Sequence, residues 1–224
     1  MCSWLAVSGA MHTSSEQYSR LPAERLDILQ RCLPGHSLPA RPVDLFETNQ
    51  PRIWLVQNDR LNVVGLFNWK EKQNAEFDYD MAKLGLDGKT TYTAFDFWAN
   101  KFVGPVQGTM KQILPGGTCR ILALKPQADH PQLLSTSRHI TQGLIDVLYE
   151  KWDAGRKTLS GKSRVVGGDS YEMRIALPSK GSWKAASASS SDGAEIKIGA
   201  AAADGLRVTI DSPKDTDVAW SVTF

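Results

Sequence analysis

The sequence predicts a mainly β protein: two antiparallel β-sandwich-like modules in series, preceded by a short strand, a loop and one helix. Three observations point there. From Arg52 onward, apolar residues recur with a period of two, which places one face of each segment in a core and the other in water. Glycine, proline and Asn-Asp signals interrupt that pattern often enough to close short hairpins. A helical period is strong only once, before residue 34.

The elements follow in order. Trp4 to Val7 is a short apolar run that reads as a buried strand. Pro22 suits a first helical position, Glu24 falls in the favoured acidic first turn, and Leu26, Leu29 and Leu33 recur at helical spacing until Pro34-Gly35 stops the helix. These pieces make a unit spanning residues 1–35, which is too small to bury its own apolar faces. Residues 36–51 carry Pro39, Pro42 and Pro51 and read as a stiff, extended linker.

The first sandwich is expected over residues 52–126. Ile53 to Val56 and Leu61 to Trp69 are strands about an Asn58-Asp59 turn, and Phe77 and Tyr79 alternate with Asp78 and Asp80. Thr91 to Trp98 is rich in β-formers, and Pro115-Gly116-Gly117 separates Val106–Leu114 from Cys119–Leu124. The second sandwich is expected over residues 127–224. Ile145, Val147 and Tyr149 should share a face, as should Tyr171, Met173, Ile175 and Leu177 against Glu172 and Arg174. Ile196 and Ile198, then Leu206, Val208 and Ile210, then Val218, Trp220, Val222 and Phe224 repeat the pattern. The tryptophans, seven in all, should face mainly inward.

Composition narrows the function. With 26 basic and 24 acidic side chains the net charge is +2, which gives no electrostatic case for nucleic acid or an anionic membrane. No stretch approaches the length of a membrane span. The three cysteines, Cys2, Cys32 and Cys119, are widely spaced and suggest neither a zinc ribbon nor a disulfide framework. No signal peptide is recognisable, and the compartment stays open.

A search for chemistry returns mostly structural readings. Gly116-Gly117 and Gly167-Gly168 are turn glycines without a phosphate-loop pattern. Asp129, His130 and His139 lack the spacing of a metal site, and Ser135 and Ser137 lack a nucleophile elbow. Asp78 and Asp80 share a strand face, but a solvated face explains them better than a glycosidase pair. Trp69, Trp98, Trp152 and Trp183 could offer indole faces to a sugar, against the usual core role of tryptophan. No cofactor is expected.

Several of these segments resemble one family. Arg41-Pro-Val-Asp-Leu-Phe46, Ile53-Trp54 and Val63-Val-Gly-Leu-Phe-Asn-Trp69 resemble the region after the barrel in the α-galactosidase (melibiase) and raffinose-synthase clan of glycoside hydrolases. Leu84-Gly85-Leu86, the Phe-Asp-Phe-Trp run ending at Trp98, and Ile121 to Pro126 resemble its adjoining β-sandwich. Leu133 to Gly143 and Val218 to Phe224 are similar to the tail of large microbial members. Ser8-Gly9, Ser14-Ser15-Glu16 and Leu21 to Leu26 look like the last strand, rim loop and helix of a (β/α)₈ barrel, so residues 1–35 are expected to be a barrel remnant.

The resemblance implies a parent that hydrolyses or transfers α-galactosyl groups by a retaining mechanism with two aspartates. Those aspartates lie on earlier barrel strands, and no position here matches them, so no catalytic residue is assigned and the chain is expected to be inactive alone. Glu16, at the rim, and Trp69 and Trp98 are the substrate-binding candidates. The competing readings are a stand-alone carbohydrate-binding module and a structural or interaction module, the latter self-associating through its apolar front segment.

Overall fold

The computed structural model describes residues 1–13, 15–202 and 205–224; Ser14, in the rim-loop motif, lies outside them. The chain divides into two compact units, one formed by Met1–Pro126 with His139–Thr141, the other by Gln127–Arg138 with Gln142–Phe224.

The first unit is built on a six-stranded antiparallel sheet. Its strands are β1 (Ala40–Pro42), β2 (Ile53–Gln57), β3 (Asn62–Phe67), β5 (Tyr92–Asp96), β6 (Lys101–Val106) and β8 (Cys119–Pro126), in the order β1-β2-β3-β8-β5-β6. A separate two-stranded sheet pairs β4 (Ala75–Asp80) with β7 (Thr109–Leu114). Alternation decides which side chains meet between the two sheets. Ala75, Phe77 and Tyr79 point inward from β4, while Glu76, Asp78 and Asp80 point to water. The inward residues pack with Ile53, Leu55, Val64, Leu66, Leu122 and Leu124 of the large sheet. The β2–β3 turn closes as expected, with Asn58 Oδ1 accepting the Arg60 and Leu61 N–H groups at 2.9 and 3.0 Å.

Tyr79 makes the polar tie of this core: its hydroxyl donates to Glu47 Oε1 at 3.0 Å. Burial, and then the adjacent Glu47 carboxylate, push its pKa from 10.0 to about 12. The folded protein therefore keeps this proton where the unfolded chain has lost it. The contribution is whole below pH 10.0 and disappears as pH rises towards about 12. Chemical unfolding of the wild type across that window should show a steeper loss of stability than Tyr79→Phe. Identical slopes would remove Tyr79 from the account.

The opposite face of the large sheet is also buried. Val56, Val63, Phe67, Ile121 and Ala123 occupy the alternate positions and are almost fully enclosed. Helix α1 (Cys2–Ser8) packs against β1, β2 and β3 there. Gly65 makes the approach possible: a Cβ at that position would sit 3.2 Å from Val7 Cγ1 and 2.8 Å from the Phe67 ring. Trp4 lies edge-to-face with Trp54 and Trp69, each at a centroid distance of 6.1 Å.

Here the structure corrects the sequence reading, because Trp4 to Val7 is helical and not a strand. A strand needs a neighbour to pair its backbone groups, whereas a helix pairs its own. Gly9, at φ 68°, ends α1 in the left-handed region, and His36 Nε2–H donates to Val7 O at 3.2 Å. The front segment is thus partly enclosed, with Ala6, Val7 and Cys32 buried; burial first, then Cys2 and Cys119, push the Cys32 thiol up to about 12. The second helix, α2 (Ala23–Arg31), follows a single 3₁₀ turn at Tyr18–Arg20 and begins one residue later than expected, with Pro22 as its N-cap. None of its residues is buried.

The second unit is a sandwich of two four-stranded antiparallel sheets. One has the order β10-β11-β16-β13, from β10 (Val147–Asp153), β11 (Thr158–Val165), β13 (Ser187–Ser190) and β16 (Thr216–Thr223). The other has the order β14-β15-β12-β9, from β9 (Gln132–Thr136), β12 (Tyr171–Ala176), β14 (Glu195–Ala202) and β15 (Gly205–Asp211). Tyr171, Met173 and Ile175, Leu206, Val208 and Ile210, and Val218, Trp220 and Val222 fill the space between. Buried Asp146 accepts the Thr136 and Tyr171 hydroxyls at 2.8 and 2.7 Å.

Three expectations for side-chain direction change. A bulge between Val147 and Tyr149 puts Val147 inside and leaves Tyr149 52% exposed. Arg174, expected in water, is buried and donates to Glu172, to Ser135 Oγ and to Thr136 O. Of the tryptophans only Trp220 is fully enclosed; Trp4, Trp54, Trp69, Trp98, Trp152 and Trp183 are half-buried. An indole is long enough to bury one edge and leave the other at the surface.

Candidate functional site

The cleft that gathers functional side chains lies in the first sandwich, beside Trp69. Its position follows from one side chain. Asn68 is buried just after β3, and its amide Nδ2 donates to Gln73 O, Leu114 O and Pro115 O at 2.7, 3.0 and 3.0 Å. Its Oδ1 accepts the Lys70 N–H at 3.1 Å. One amide therefore ties the 69–74 loop to the end of β7. The Pro115-Gly116-Gly117 turn adds the Gly117 N–H to Lys70 O bond at 2.9 Å. Gly116 lies so close to Lys70 and Glu71 that a Cβ there would overlap their backbone.

The other wall is set by Asp44. This carboxylate is fully buried, and its Oδ1 accepts the N–H groups of Arg52 and Ile53 at 2.9 and 3.0 Å. Its Oδ2 faces Arg52 Nε at 3.3 Å, and the guanidinium lies 5.3 Å over the Phe77 ring. The 44–48 turn is held in place, which carries Thr48 and Gln50 to the cleft.

Between these walls lies an open cleft of about 470 Å³, lined among others by Gln50, Arg52, Trp69, Lys70, Asn74 and Glu76. The Trp69 indole stacks on Phe67 at 5.4 Å and 11°, and its Nε1–H donates to Pro51 O at 2.9 Å. Among the described residues, no hydrogen bond or ion pair occupies the side chains of Gln50, Lys70, Asn74 or Glu76. The cleft thus offers an indole, two amides, one ammonium and one carboxylate.

The remaining sequence candidates lie elsewhere. Trp98 and Glu16 do not line the cleft. Trp98 Nε1–H donates to Ser3 Oγ at 3.1 Å, and its ring meets Phe97 edge-on; Glu16 is exposed. Asp78 pairs with Lys111 at 3.3 Å, and Asp80 Oδ1 accepts the Ala82 N–H at 2.8 Å, so both serve local structure. Ser137 Oγ accepts the Glu172 N–H at 2.8 Å and Ser135 Oγ accepts from Arg174, whereas His139 Nδ1 lies 2.7 Å from the Thr141 hydroxyl, so neither serine is hydrogen-bonded to His139. Trp152 stacks on His130 at 5.1 Å and meets Trp183 edge-on at 5.8 Å, so these two tryptophans pack on each other beside the second core. Asp129, hydrogen-bonded to His130, has its carboxyl held below the usual range. No group of three or more metal-ligating side chains occurs among the described residues, and no described helix is long and apolar enough to cross a membrane.

Trp69, a candidate from the sequence, lines this cleft, and four of its neighbours there were not singled out by the sequence. Gln50, Lys70, Asn74 and Glu76 come from three loop or strand-edge segments and show no spacing that announces a site.

Sandwich and cleft together make up a β domain with one open cleft beside Trp69. Residues 50–124 match the family of the α-galactosidase C-terminal β-sandwich domain. The match lies within the first sandwich and covers about a third of the chain. No curated protein matches the chain. Among solved structures, the chain is similar to a β-L-arabinopyranosidase from Geobacillus stearothermophilus at 19% identity, covering 57% of this chain and 29% of that one, TM-score 0.48. It is similar to α-galactosidase I from Mortierella vinacea at 13% identity, covering 57% and 34%, TM-score 0.44. It is similar along 100% of its length to 44% of an isomalto-dextranase from Arthrobacter globiformis T6 complexed with panose, at 15% identity and TM-score 0.45. The chain spans less than half the length of each of these enzymes.

Proposed function

We propose that this chain is a non-catalytic region of an α-galactosidase-like glycoside hydrolase, bracing a catalytic barrel that hydrolyses or transfers α-galactosyl groups. The match of residues 50–124 to the C-terminal sandwich family carries the reading. The chemistry of the chain agrees with it. Retaining hydrolysis requires two carboxyl groups roughly 5 Å apart across a sugar. The Trp69 cleft brings one, Glu76, and the nearby Asp78 and Asp80 are engaged in local structure.

The surface agrees as well. Phe46 is 100% exposed and Leu45 is 46% exposed, at the tip of a turn that buried Asp44 holds rigid. Along α2, Leu26, Ile28 and Leu29 are only half-buried. Apolar side chains presented on a fixed turn and along one helix suit packing against a neighbouring domain. The purified chain is expected to release no nitrophenol from nitrophenyl α-galactoside above the buffer rate. Turnover at the rate of an ordinary glycosidase would overturn the proposal.

A further inference from the structure

We infer that the Trp69 cleft is a binding site for a neutral saccharide, separate from any catalytic centre. Bracing a barrel does not require such a site, so the inference goes beyond the function proposed above.

The cleft's volume of about 470 Å³ is ample for a sugar unit, within the range of roughly 300–1,000 Å³ for small-molecule sites. Its polar groups fit hydroxyls. A hydroxyl both donates and accepts, and here Gln50 and Asn74 do both, Lys70 donates and Glu76 accepts. Trp69 supplies an apolar wall for the C–H groups of a pyranose ring. Exposed polar side chains are commonly just hydrated. These four differ because none is used within the protein and all line one cleft with an indole.

Charge selects the ligand class. Arg52 is already paired with buried Asp44, and Lys70 and Glu76 carry opposite signs. The net field is close to zero, which suits an uncharged polyol better than a phosphate or sulfate. Rigidity favours binding too. Asn68, Gly116 and Gly117 hold the 69–74 loop before any ligand arrives, which reduces the ordering cost on association.

The test is calorimetric titration of the full chain with melibiose, lactose, maltose and cellobiose, and with inorganic phosphate as an anionic control. At least one disaccharide is expected to bind saturably in the millimolar range, and phosphate is expected not to compete. The variant Lys70→Ala/Asn74→Ala/Glu76→Ala alters only exposed side chains and should keep the wild-type circular dichroism. It should weaken binding about tenfold or more, the effect of losing a hydrogen bond to a charged group. Trp69→Ala should also abolish binding, but it touches Phe67 and Trp4 and can loosen the fold. Absence of saturable binding by all four sugars, unchanged affinity in the triple variant, or displacement by phosphate would each overturn the inference. Hydrolysis tests the bracing reading and titration tests this one, so each can fail without the other.

Discussion

Trp220→Ala is expected to destabilise the protein by about 3–5 kcal/mol, the cost typical of removing a large aromatic from a packed core. Trp220 is 3% exposed and sits on β16 among Val218, Val222, Leu159 and Val165. Its Nε1–H donates to Ser163 Oγ at 3.0 Å on the neighbouring strand, so the alanine variant also leaves that hydroxyl without its partner. The ring lies across Gly161, its direct cross-strand neighbour; a Cβ there would come within 2.5 Å of both the indole and Tyr149 O. Little else can flow into the vacated space, because the opposing sheet is held by its own ladder. Urea unfolding of the full chain reads the loss. A change below about 1 kcal/mol, the size of an ordinary surface substitution, would show that the second core collapses around the gap.

Asp44→Ala should cost a similar amount by a different route. The carboxylate is fully buried, and its Oδ1 alone serves the Arg52 and Ile53 N–H groups at the start of β2. Removing it strands two backbone donors, at about 1–3 kcal/mol for each buried group left unpaired, and leaves the partly exposed Arg52 guanidinium to solvent. Asp44→Asn retains an oxygen for the two N–H groups and loses only the charge towards Arg52, so it should recover part of the stability. Equal losses in the two variants would mean that the ion pair, and not the backbone acceptor, holds the turn. Because the same turn presents Leu45 and Phe46, this substitution should also loosen the surface proposed to meet the barrel.

Much of this was legible along the chain. The β4 alternation of Phe77 and Tyr79 against Asp78 and Asp80, the Asn58 turn and the Pro115-Gly116-Gly117 turn are local features, and each appears in space as its residues suggest. Arg41 to Phe46 stood out in the sequence only as a resemblance; the structure adds what its aspartate does, accepting the Arg52 and Ile53 N–H groups. Trp4 to Val7 was misread because four apolar residues carry no period. Tyr149 was misread because a single inserted residue reverses the face of everything before it. Arg174 alternates correctly yet is buried, and alternation does not state what covers the outer face of a sheet.

The sequence by itself determined the β character, the turns, and which side chains of each strand could share a face. Those depend on neighbours a few residues away, through the two-residue pleat and the φ preferences of glycine, proline and asparagine. Only the tertiary structure decided that α1 would be a helix on the second face of the large sheet. It alone decided that Asn68 and Asp44 would shape a cleft around Trp69. Such outcomes join segments dozens of residues apart in the chain, and no local period encodes which of them meet.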